Sequence, residues 1–82
     1  MTDETKQQQV DKVMALLSTY AGRSLGDSPE TRGLAFNEIG MSSLTMASAV
    51  VELEERLDRQ FDFRAFAGVK NVGDLLRAIG LS

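Results

Sequence analysis

Apolar residues recur at Val10, Val13, Met14, Leu17, Tyr20 and Ala21, at intervals of three and four with two adjacent pairs. That spacing predicts an amphipathic helix from about residue 4 to 21, with Asp11, Lys12 and Ser18 on the opposite side and a stop near Gly22. A second stripe, Met46, Val50, Leu53 and Leu57, predicts a helix that starts at Ser42 or Ser43 and runs to about Leu57. A third, Val72, Leu75, Leu76 and Ile79, predicts a last helix capped by Asn71 and stopped by Gly80, with Asp74 as a weak capping-box partner. Between the first two helices, Gly22, Gly26, Pro29 and Gly33 among Ser, Asp and Arg mark a loop. Leu25, Leu34, Phe36 and Ile39 are expected to anchor that long connection to the core. Phe61 and Phe63 alternate as a short extended piece, and Arg64–Ala67 reads as one helical turn ended by Gly68. The Phe61, Phe63 and Phe66 cluster is expected to close the open end of the core, the alternative being the border of an acyl cleft.

Smaller features fit the same frame. Tyr20 reads as a core-edge residue with a wet hydroxyl. Glu52 with Arg56, and Glu55 with Arg59, are i,i+4 pairs in the favourable order, and Glu54–Arg56 reads as a solvated face. The first residues, before and around Gln7-Gln8-Gln9, are polar, and residues 1–3 are expected to fray.

Composition narrows the function classes. The chain has 82 residues, 43% of them apolar, enough for one small globular domain. It has no cysteine, so it has no disulfide or thiolate metal site, and no histidine, so Ser-His chemistry is excluded. Gly40-x-Ser42 lacks the second glycine of a nucleophile elbow. The net charge of −3 argues against nucleic acid as a partner. No apolar run reaches membrane-spanning length, and the polar, acidic first residues are unlike a signal peptide; a cytoplasmic, monomeric protein without a membrane partner is expected. The carboxylates fall on solvent faces with no base beside them, so the chain reads as a binding or carrying module, not an enzyme.

Glu38-Ile39-Gly40-Met41-Ser42-Ser43-Leu44 is the stretch with candidate chemistry. A serine just before an apolar-periodic segment is first of all a helix cap. Its hydroxyl also sits at the positive end of the helix dipole, a favourable place for a phosphate ester.

Phe36–Leu44 resembles the carrier-protein motif F-x-E-L-G-x-D-S-L. Val51-Glu52-Leu53-Glu54-Glu55-Arg56-Leu57 is similar to the L-E-E-x-F end of that family's second helix, and Asn71–Leu76 to the T-V-x-x-L start of its last. On these residues the chain resembles acyl and peptidyl carrier proteins over roughly its C-terminal half. The resemblance implies an all-α fold, a small four-helix bundle of three main helices and a short third, with one carrier domain over residues 1–82. It implies 4'-phosphopantetheine, taken from coenzyme A and joined to Ser43, whose thiol carries acyl groups as thioesters in a chain without cysteine. It implies a partner face on the second helix and the loop before it, offering Met41, Ser42, Leu44, Thr45, Ala47, Ser48 and Val51. Ser42 stands where the family has Asp.

Few acids flank Ser43, which leans toward a discrete carrier of polyketide or mixed polyketide–peptide biosynthesis. Its implied partners are a phosphopantetheinyl transferase, an acyltransferase or ligase, and a ketosynthase or hydroxymethylglutaryl-synthase-like enzyme. Phe66–Leu75 resembles the F-A-G-A-K-N-I-G-E-L run of donor carriers in β-branching cassettes, with Lys70 as a cation for an acidic partner. Two alternatives stay open: an unmodified docking domain, and a peptidyl or aminoacyl carrier.

Overall fold

The computed structural model describes residues 5–81; the fraying expected of residues 1–3 lies outside that range. Helix α1 spans Lys6–Ala21. Its start is set by a capping box: the Thr5 hydroxyl accepts from the Gln8 N–H at 3.1 Å, and the Gln8 side chain accepts from the Thr5 N–H at 2.8 Å. Gly22 ends it in the left-handed conformation, φ 72°. Leu16 is buried beside the predicted stripe, which widens the face that α1 turns to the core. The Tyr20 hydroxyl is not simply wet: it donates to Glu52 at 3.0 Å, and that bond raises the phenol's pKa.

The connection predicted as loop contains a short helix, α2, at Pro29–Arg32. Ser28 caps it by accepting from the Thr31 N–H, and Pro29 sits in the first turn, where no donor is needed. Arg32 reaches back to Asp27 at 2.7 Å and holds that carboxyl below its usual pKa. A 3-10 turn, Phe36–Ile39, follows. Leu25, Phe36 and Ile39 are all buried and Leu34 packs against the core, so the expected anchors hold the connection down.

Helix α3 spans Ser43–Leu57 and buries Ala49, Val50, Leu53 and Leu57, with Met46 packed at the core's edge. It ends at Asp58 in the left-handed region. The Glu52–Arg56 pair forms at 3.6 Å. The Glu55–Arg59 pair does not: Arg59 lies past the helix end, with its guanidinium 5.1 Å from the centre of the Phe61 ring. Glu54 is only partly solvated, because its carboxylate accepts from the Phe61 N–H at 2.8 Å.

The predicted helical turn is a 3-10 turn one residue earlier, at Phe63–Phe66, and Phe61 and Phe63 pair with no strand. Phe61 and Phe66 meet edge to face at 6.0 Å and pack against the core, whereas Phe63 is 56% exposed. Two of the three rings thus close the core end, and the third faces solvent.

Helix α4 spans Val72–Ala78 under the Asn71 cap. Asp74 does not complete the box. Its carboxylate accepts from the Lys70 N–H and pairs with Arg77, and the Lys70 contact is the main cause of its lowered pKa. The described residues form an all-α bundle of four helices with two 3-10 turns around one apolar core. Helix α1 packs along α3, and α4 packs on α2 and on the Phe63–Phe66 turn.

Two backbone bonds tie the long connection to the start of α4: Phe36 N–H to Lys70 C=O at 3.2 Å, and Val72 N–H to Leu34 C=O at 3.1 Å. They form an isolated antiparallel bridge between Ala35 and Asn71. Gly73, buried just beyond, lets α4 approach α2 so closely that a Cβ there would lie 3.1 Å from the Arg32 carbonyl oxygen. A branched side chain at this point overpacks the contact. Gly73→Val is expected to lower unfolding stability by about 1–3 kcal/mol in urea titrations, with Gly73→Ala less affected; a variant as stable as the wild type contradicts the close approach.

Candidate functional site

The chain enters the site through a forced turn. Gly40 ends the Phe36–Ile39 turn at φ 77°, a conformation that disfavours a side chain. The Met41 N–H then bonds back to the Phe36 carbonyl at 2.9 Å, which points the Met41 side chain inward. Met41 is 4% exposed and belongs to the core, so it is not part of the outer partner face expected of it. The reversal at Gly40 is the reason, and no helical or alternating period describes it.

The two serines that follow have different chemistry. Ser42 is the N-cap of α3: its hydroxyl accepts from the Thr45 N–H at 3.2 Å and shares a bond with the Thr45 hydroxyl at 3.0 Å. Ser43 is the first helical residue, is exposed, and its hydroxyl has no partner within the described residues. Among the described residues no basic group is bonded to that hydroxyl.

A groove of about 440 Å³ opens beside the serines. Phe36, Met41, Met46 and Val69 supply its apolar wall, and Ser42, Ser43 and Lys70 its polar lining. Lys70, which the sequence placed near the last helix as a partner contact, is brought here with Ser43 by the bridge at Asn71. Phe36, Met46 and Val69 were read as core or left unassigned; their part in the groove depends on contacts between distant segments. A second groove, about 410 Å³, lies at the other end of α3 between Val51, Glu55 and Arg59. It holds no hydroxyl nucleophile and is far along the helix from Ser43.

The outer face of α3 carries the remaining expected contacts. Leu44 is 80% and Val51 46% exposed, and Ala47 and Ser48 are exposed between them. Thr45 is partly buried and engaged with Ser42. Acids close to the serines are few, and Glu38 turns its carboxylate to the Ala35 N–H at 2.8 Å. Among the described residues no group of three ligating side chains could hold a metal ion, and no helix is long and apolar enough to cross a membrane.

Comparison with known families matches residues 11–79 to the phosphopantetheine attachment site family. The match covers most of the chain, and the chain belongs to that family. The family is that of phosphopantetheine-bearing carrier proteins, which work with a phosphopantetheinyl transferase and biosynthetic enzymes. No curated protein and no solved structure matches it. The residues present fit the group: an accessible, unbonded hydroxyl borders a groove with an apolar wall and a cation.

The division between the serines is testable without the cofactor. Ser42→Ala removes the cap and is expected to lower stability by about 1 kcal/mol, with Ser42→Asp close to the wild type. Ser43→Ala is expected to leave the urea midpoint unchanged, because no bond is lost. Equal effects at both positions contradict the assignment.

Proposed function

We propose that Ser43 bears the phosphopantetheine and that residues 1–82 form one discrete carrier domain that presents an acyl group to partner enzymes of polyketide or mixed polyketide–peptide biosynthesis. The observation that carries this is the free, exposed Ser43 hydroxyl next to a Ser42 hydroxyl already engaged in capping. When bound, the arm supplies a thiol that carries acyl groups as thioesters. The chain's own residues hold and display it. Ser43 is the point of attachment, and Ser42 fixes the first turn of α3 beneath it. The N-terminus of a 15-residue helix favours the negative phosphodiester by about 0.3–1 kcal/mol at an exposed position. Leu44, Ala47, Ser48 and Val51 offer small and apolar contacts to a transferase, an acyltransferase or ligase, and a ketosynthase.

Ser42 in place of Asp favours a second reading, an unmodified docking domain. Physically the exchange is mild: both residues are good N-caps, and only the charge is lost. Intact-mass measurement after incubation with coenzyme A and a broad-specificity transferase separates the two. A phosphopantetheinyl mass gain that survives Ser42→Ala and vanishes in Ser43→Ala is expected. No gain on the wild type supports the docking domain, and the reverse pattern places the group on Ser42.

The Phe66–Leu75 resemblance supports a donor role in β-branching, with Lys70 on the groove side of that run. Protein loaded with acetyl is expected to react with a hydroxymethylglutaryl-synthase-like enzyme. Turnover only by an elongating ketosynthase rejects the donor role.

A further inference from the structure

Lys70 is held in an unusual way for an exposed lysine. Its carbonyl accepts from the Phe36 N–H at 3.2 Å, and its N–H donates to the Asp74 carboxylate at 3.1 Å. The backbone at the base of this side chain is thus fixed on both sides, one bond to each of two different segments. The carboxylate that its N–H meets is already engaged: Asp74 also pairs with Arg77. Arg32, Arg56, Arg64 and Arg77 each pair with a carboxylate, whereas the Lys70 ammonium meets none among the described residues. It lines the same groove as Ser43, together with the apolar Met46 and Val69.

We propose that Lys70 binds the phosphodiester of the arm and so draws the arm into this groove, where Met46 and Val69 meet its apolar carbons. This rests on the attachment at Ser43. The argument is complementarity. The arm begins with an anion, continues with a branched apolar segment and is tethered beside the groove; the groove has a cation and then an apolar wall. Lys70 and Ser43 line one groove of about 440 Å³, which places the cation on the same surface depression as the tether. Lys70 is a cofactor-binding residue on this view, in addition to any role toward a partner.

Backbone amide NMR spectra of the apo protein and of holo protein verified by mass as modified on Ser43 test this directly. In the wild type, modification is expected to shift the amides of Met46, Val69 and Lys70 as well as those of Ser43 and Leu44. Lys70→Gln, with an apo spectrum matching the wild type away from the substitution, is expected to reduce the Met46 and Val69 shifts at least twofold and leave the Leu44 shift in place. Lys70→Arg is expected to keep them. Shifts confined to residues 42–45 in the wild type, or unchanged in Lys70→Gln, overturn the proposal while leaving the attachment intact. A group found on another residue overturns the attachment first, and this inference with it.

Discussion

The pair of backbone bonds that joins Leu34–Phe36 to Lys70–Val72 is the constraint on which the site depends. Each is an ordinary backbone hydrogen bond that contributes about 1 kcal/mol net. Their position matters more than their strength. They close the long connection onto the start of α4, and they leave Phe36 buried against the core and Lys70 at the surface on the same groove. Gly73 makes the arrangement possible by allowing α4 to rest against the Arg32 carbonyl. The short helix α2 is the other half of that contact, capped by Ser28 and held by Asp27 and Arg32.

From this anchored base the chain turns through Gly40, sinks Met41 into the core and emerges as α3. Capping then divides the work between two identical side chains. Ser42 satisfies a donor that the helix cannot satisfy itself, and Ser43 is left available. A carrier must expose one reactive position on a rigid frame, and a helix start provides that. The first turn is fixed by its cap, while the side chain of its first residue still faces water.

The surface around that position is poor in acid. Glu38, Glu52 and Glu54 all direct their carboxylates to partners within the chain, to the Ala35 N–H, to Tyr20 and Arg56, and to the Phe61 N–H. The exposed face of α3 nearest Ser43 is built from Leu44, Ala47, Ser48 and Val51, and Glu55 joins it only toward the far end. Contacts of that kind give close approach more than long-range steering, because uncharged side chains exert no field beyond contact distance.

Periodicity made the three main helices legible, because each buries one stripe in one core and the stripe is written into the order of residues. The cap at Asn71 was legible for the same reason, being local chemistry between residues three apart, and the start of α3 was narrowed to Ser42 or Ser43. The family motif around Ser43 pointed to the attachment chemistry before any fold was known. Ser28-Pro29 and Thr5 with Gln8 carried equally local signals for α2 and for the start of α1, and these were read as loop or left unread. What only the tertiary structure decided are the relations between segments far apart in the chain. The burial of Met41, the exposure of Phe63, the turning of Arg59 to Phe61 and the meeting of Lys70 with Ser43 in one groove belong here. Each depends on which backbone groups pair across the fold and on how closely two helices approach, and neither quantity has a period along the sequence.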